Sequence, residues 1–332
     1  MDTAREDRIA RLSAALGELA DEDLPALIAE ARAGAHEKAR ALLEAAFVDA
    51  LLDRAAAPRP AGGGSGGEGW WVYGVIAARD ADRVSSGLEG VEPGSEVEAV
   101  VVGELAALAS PVPMREYGDE RIRDHLEDLQ WVERTARAHE AVLDAALGTT
   151  TVVPLRLCTI YRDRPGVEGF LSREAEHLAE AVDRLRGRSE WGLKLFADEE
   201  RLAAAARGRA RGGGGADGGS SEATEYLAGK RHQRELREEM RGLAEACAEE
   251  AHARLSEAAA DARVNPVQRP EAHGRDSEMI LNAVYLVEAG AGEDLSAAVG
   301  ALRSEYEPLG FELELTGPWP AYNFVAPAAP AT

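Results

Sequence analysis

Two glycine-rich stretches constrain this chain most. Pro58 to Gly69 (PRPAGGGSGGEG) and Arg207 to Ser221 (RGRARGGGGADGGSS) carry almost no side chain able to bury apolar surface. Neither stretch can form part of a packed core, so each reads as a linker. They set off a helical extension at 1–57, a linker at 58–69, an N-terminal α+β domain at 70–161 and a C-terminal domain at 162–325. The second stretch is a flexible insertion at 207–221 within that last domain.

In the extension, Ile9, Leu12, Leu16 and Leu19 recur at helical spacing, and a second stripe runs through Leu42, Leu43, Ala46, Phe47, Ala50 and Leu51. After the linker, Trp70-Trp71-Val72-Tyr73-Gly74-Val75-Ile76 is apolar on both faces, as a central strand must be. A turn at Glu92-Pro93-Gly94-Ser95 leads into a strand over Val97–Leu105. Arg121–Leu147 has the periodicity of one amphipathic helix, and Thr151–Tyr161 reads as a strand.

The second half predicts a helix from Ser172 to Leu185 capped by Ser172, then a short strand over Trp191–Phe196. A proline-free run follows over Glu222–Ala262, a continuous helix of roughly 60 Å ended by Asn265-Pro266. Met279–Glu288 and Phe311–Thr316 read as strands, with a helix over Leu295–Tyr306 between them. This alternation fits a ferredoxin-like α+β sheet with a strand borrowed or lost.

Charge narrows the partners. There are 60 Asp and Glu against 37 Lys and Arg, a formal net charge of −23. Such a chain repels nucleic-acid phosphates and anionic lipid surfaces, so neither nucleic acid nor a lipid membrane is expected as a partner. The two cysteines, Cys158 and Cys247, have no metal-like spacing, and the Met1-Asp2-Thr3-Ala4-Arg5 start lacks a signal sequence, so the expected compartment is cytoplasmic.

The chemistry-bearing patterns resolve into ordinary structure. Gly63-Gly64-Ser65-Gly66-Gly67 is formally a nucleophile elbow, but no strand feeds it. Gly212–Gly215 is followed by no Gly-Lys-Ser/Thr. His36-Glu37 and His139-Glu140 each begin a zinc-binding pair, yet Arg40 and Leu143 stand where the second histidine belongs. Cys158 reads as a small buried hydrophobe. Neither a catalytic site, a metal site nor a cofactor is expected, and the chain is read as not an enzyme.

Four segments then give a resemblance. They are Trp71-Val72-Tyr73-Gly74-Val75; Val152 to Tyr161 after a helix carrying His139-Glu140; Trp191-Gly192-Leu193-Lys194-Leu195 ahead of a charged helix with Tyr226-Leu227; and Gly317-Pro318-Trp319-Pro320-Ala321-Tyr322-Asn323-Phe324. In this order they resemble the GvpF/GvpL family of gas-vesicle proteins, with Cys158 where that family often has glycine and Ala321 where it often repeats proline. The resemblance implies two α+β domains, the second ferredoxin-like. It also implies a minor component of the gas vesicle that binds the hydrophobic shell protein, alongside other gas-vesicle accessory proteins, during nucleation. Trp319, Tyr322 and Phe324 are the candidate protein interface, with a structural latch on the last strand as the competing reading. A small-molecule-binding regulatory module is the alternative function.

Overall fold

The computed structural model describes residues 67–84, 87–211, 222–268, 275 and 277–326. The extension at 1–57, with His36, and the linker as far as Gly66, with Ser65, lie outside the described residues, as does 212–221. Residues 64–118 and 138–332 make up one compact unit, which holds every strand named below; residues 119–137 belong to another.

The first sheet has the order β2-β3-β1-β4, all antiparallel. β1 (Glu68–Ala77) is the central strand its composition predicts, buried from Gly69 onward. It begins inside the glycine-rich stretch, where Glu68 and Gly69 already pair with Pro113 and Val112. The strand expected over Val97–Leu105 is instead a hairpin of β2 (Glu98–Val102) and β3 (Leu105–Pro113). Gly103 turns the chain at φ +60°, a conformation that a side chain disfavours. Alanine and proline mask β3 from a propensity reading, since both are poor strand formers.

The expected strand over Thr151–Tyr161 shrinks to β4 (Val153–Pro154) and β5 (Ile160–Tyr161), both along the same edge of β1. The loop between them passes through Cys158 at φ +63°, the only non-glycine residue with positive φ among those described. Cys158 is therefore a partly buried loop residue, not part of a strand. Burial pushes its thiol up to about 12, which makes it a poor nucleophile at neutral pH. A left-handed cysteine costs on the order of 1 kcal/mol relative to glycine. Cys158→Gly is expected to keep or slightly raise the melting temperature, while the β-branched Cys158→Val lowers it clearly; paired thermal melts check the order.

Helix α1 spans Leu129–Leu147. The single helix expected from Arg121 is divided, with a separate helix over Asp119–Leu126. Asp128 makes the break by capping a new N-terminus, its Oδ1 accepting from the N–H of Gln130 at 3.0 Å and of Trp131 at 3.4 Å. Across that break His125 stacks on Trp131, ring centroids 4.7 Å apart.

Next come α2 (Arg164–Arg173) and α3 (Ala175–Leu185). Ser172 does not cap: it lies inside α2, donating back to the Glu168 carbonyl at 2.9 Å. α3 follows Glu174, which makes no side-chain cap, while α2 is capped by Asp163, which accepts from the Gly166 N–H at 2.8 Å, with Pro165 preset for the first turn.

The second sheet has the order β7-β8-β6-β9, again antiparallel. Its strands are β6 (Arg188–Ala197), β7 (Asp261–Val264), β8 (Glu278–Glu288) and β9 (Phe311–Trp319). Between β6 and β7 run α4 (Glu199–Arg211) and α5 (Glu222–Ser256), and α6 (Gly292–Tyr306) joins β8 to β9. Arg207–Arg211 thus continue a helix before the glycines begin. Helix α5 ends at Ser256 after about 50 Å, so the stop lies before Asn265-Pro266. The difference is β7, four residues that complete the sheet.

Two cores result. Leu193, Leu195, Tyr285 and Phe311 face Leu243 and Leu255 of α5 and Leu295 and Leu302 of α6. In the other core, Trp70, Val72 and Val75 of β1 meet Leu171 of α2, Leu185 of α3, and Val284 and Leu286 from the back of the second sheet. Ala321 and Phe324 complete this second core.

Candidate functional site

The segment after β9 makes a dense set of part-buried polar contacts. Phe324 is fully buried. Burying a phenyl ring releases about 2–3 kcal/mol, but it drags backbone carbonyls along with it. Two arginines serve four consecutive carbonyls. Arg184 of α3 donates to Phe324 O at 3.2 Å and to Val325 O, and Arg263 of β7 donates to Asn323 O and, at 2.8 Å, to Ala326 O. The Arg263 guanidinium also lies over the Phe324 ring, 4.8 Å from its centroid.

Two acids complete the enclosure. Glu190 of β6 is only 7% exposed. Its carboxylate accepts from the Asn323 backbone N–H at 2.9 Å and from Asn323 Nδ2 at 2.6 Å. Glu140 of α1, also buried, accepts from the Tyr322 hydroxyl at 3.0 Å. Gly317 approaches β6 so closely, at φ +126°, that a β-carbon would stand 2.9 Å from the Glu190 carbonyl oxygen. A larger residue there would push the segment out of register.

A second buried network lies on the opposite face of β1. The Trp71 indole donates to His139 Nδ1 at 3.0 Å, and His139 Nε2 lies 3.1 Å from the Leu155 carbonyl. A carbonyl only accepts, so Nε2 carries the proton and the ring is held as one neutral tautomer. Tyr73 lies beside it, ring centroids 5.3 Å apart. Its hydroxyl pairs with Ser110 Oγ at 2.7 Å and accepts from Val91 N–H at 2.8 Å.

All four sequence segments therefore meet through side chains. Trp71 and Leu155 share His139, the neighbouring Glu140 holds Tyr322, and Glu190, next to Trp191, holds Asn323. Of the candidate interface, Phe324 is core, while Trp319 and Tyr322 are partly buried. The sequence reading singled out Glu140 beside His139 without its partner Tyr322, and missed Glu190, Arg184 and Arg263. Its one available signal was Glu190, a charge within a strand whose other face is apolar.

The family described as "Gas vesicle synthesis protein GvpL/GvpF" matches residues 69–326, most of the chain. The chain belongs to the GvpL/GvpF family. It is 34% identical to gas vesicle protein L of Streptomyces sp. (strain CB03234) over 229 residues, covering 67% of this chain and 80% of that relative. Gas vesicle protein F of the same strain is 29% identical, with 77% and 98% covered. Crystal structures of GvpF share the fold. That from Anabaena sp. PCC7120 has a TM-score of 0.57 at 19% identity, covering 79% of this chain and all of that one. That from Microcystis aeruginosa has a TM-score of 0.52 at 18% identity, covering 78% and 99%. The family match begins at Gly69 and ends at Ala326, the last carbonyl that Arg263 holds.

Among the described residues no group of three or more His, Cys, Asp or Glu is placed to hold a metal ion. No described helix is long and apolar enough to cross a membrane. What the networks do chemically is resist ionisation. Burial pushes the Tyr73 phenol up to about 12 against the lowering effect of its hydrogen bonds, and burial, then the Glu140 charge, hold Tyr322 well above the usual 10.

A folded-state pKa above the unfolded one gives stability that is complete below pH 10 and fades as pH rises through the folded value. For Tyr73 the loss reaches roughly 2–3 kcal/mol by about pH 12. Tyrosinate absorbance is expected to rise together with the loss of far-ultraviolet circular dichroism. A titration completed in a still folded chain would contradict this.

Proposed function

We propose that this chain is an accessory protein of gas-vesicle assembly that binds the hydrophobic shell protein during nucleation and keeps it from aggregating. The observation that carries the reading is membership of the GvpL/GvpF family over residues 69–326. A shell that faces gas must expose apolar surface, so its unassembled subunit needs cover. A partner with a net charge of −23 would keep the covered subunit soluble. On this reading the chain acts by binding and not by catalysis, in the cytoplasm and at the gas vesicle, with other accessory proteins as further partners.

The finer architecture belongs to the same proposal. The order β7-β8-β6-β9, with helices after β6 and after β8, supports a ferredoxin-like arrangement of the second sheet. A C-terminal domain at 162–325 and an N-terminal α+β domain at 70–161 are part of the same proposal. Trp319 and Tyr322 remain the residues proposed to meet the partner, with buried Phe324 fixing their position.

Co-expression of the tagged full chain with the shell protein tests the role. The shell protein is expected to stay soluble and to elute with the tag. Shell protein that aggregates equally with and without the chain, and never elutes with it, would sink the proposal.

A further inference from the structure

One end of the compact unit carries a feature that the latch does not use. The loops after β1, α1, α3 and β8 border an open groove of about 770 Å³. Its rim holds four arginines, Arg79, Arg83, Arg186 and Arg188, against three carboxylates, Asp80, Asp144 and Glu288. In a chain with 60 acids to 37 basic side chains, arginines here outnumber the lining carboxylates by one.

The donors there are under-used. A guanidinium has five N–H groups. Among the described residues Arg79 makes only an ion contact with Asp80, at 3.9 Å, and Arg83 shares that same carboxylate at 3.4 Å. Asp80 also accepts from Thr150 Oγ1 at 2.7 Å, so one acid is divided among three donors. Arg186 pairs with Asp183, which is exposed and outside the groove. Arg188 donates to Arg184 O at 2.8 Å and to Glu288 at 3.3 Å, while its buried Nε has no partner among the described residues. Exposed ion pairs of this type hold by about 1 kcal/mol or less and exchange partners readily.

The groove also has an apolar strip, formed by Leu147, Trp191 and Pro318. Two of its glycine N–H groups are already engaged, Gly148 N–H with Asp144 O and Gly187 N–H with Thr151 Oγ1. Its three carboxylates would repel a multiply charged phosphate, whereas they can alternate with the single charges of spaced carboxylates.

We infer that this groove is a binding site for an extended acidic peptide segment, its carboxylates on Arg79, Arg83 and Arg186 and an aliphatic side chain on the Leu147–Trp191–Pro318 strip. The inference is independent of shell-protein binding and stands on the groove alone.

The test is fluorescence anisotropy of the full chain with a labelled Glu-Leu-Glu-Leu-Glu-Glu peptide. Saturable binding is expected, weakening as salt rises from about 50 to about 300 mM. The Arg83→Ser/Arg186→Ser double variant changes two exposed side chains. It is expected to melt like the parent and to bind about tenfold more weakly, equivalent to about 1.4 kcal/mol. The peptide with every Glu replaced by Gln, tested on the unaltered chain, should bind at least as poorly. Equal binding of the Gln peptide, or an unaffected double variant, would overturn the inference. So would tripolyphosphate displacing the probe at lower concentration than the unlabelled Glu peptide, which would mark a phosphate site.

Discussion

Glu190→Ala is expected to destabilise the chain by about 4–5 kcal/mol, among the largest effects of any single surface-distant polar substitution. The carboxylate takes two hydrogen bonds from Asn323 in a place largely closed to water. Charge-assisted bonds contribute about 1.5–3 kcal/mol each, and removing their acceptor leaves a backbone N–H and an amide buried without a partner. Glu190→Gln keeps one acceptor oxygen but turns an NH2 group toward a donor, so its loss should fall between those of Ala and the parent. In a compact unit of this size the Ala variant should melt about 10 °C lower. Limited proteolysis should then cut near Trp319–Ala326 before anywhere else in the described residues. An Ala variant within about 1 kcal/mol of the parent would show that Glu190 does not hold the segment.

His139→Leu should cost about 4 kcal/mol, for a related reason on the opposite face of β1. It removes an acceptor from Trp71 and a donor from the Leu155 carbonyl at once. A thermodynamic cycle separates this from lost packing. Trp71→Phe creates a cavity but also removes the orphaned N–H, so the double variant His139→Leu/Trp71→Phe should be more stable than the two single losses predict. A coupling of about 1–2 kcal/mol is expected from denaturant midpoints; strict additivity would mean that the two rings merely pack.

Both positions show where sequence reading reaches its limit. Trp70–Ile76 announces itself as a central strand because every side chain in it is apolar or β-prone, and Glu92–Ser95 declares its turn through Pro93 and Gly94. The helix over Leu295–Tyr306 and the strand over Met279–Glu288 follow from periodicity in the same way. The breaks were harder. Asp128, Asp163 and Gly103 end or begin elements through one hydrogen bond or one φ angle, which a smoothed hydrophobic pattern passes over. β7 is four residues long, too short to show a period beside a helix of 35.

The terminal motif was visible, but its partners were not. Tyr322 and Glu140 are 182 residues apart, Asn323 and Glu190 are 133, and Arg263 lies 60 before the carbonyl of Asn323. Nothing local at Arg184 or Arg263 distinguishes them from the chain's many solvated arginines. The departure at Cys158 was legible as a residue difference, and the structure supplies its meaning as a left-handed turn.

The position of Phe324 has a consequence for synthesis. The two sheets share a core that this ring fills, and it leaves the ribosome after every described strand has already been made. A nascent chain that has emerged only through β9 possesses all its hydrogen-bonded ladders yet still has an open hole where Ala321 and Phe324 belong. Compaction of the two sheets against each other is therefore expected to wait until Ala321 and Phe324 have emerged. A prematurely terminated product would present apolar surface to quality control, however complete its sheets.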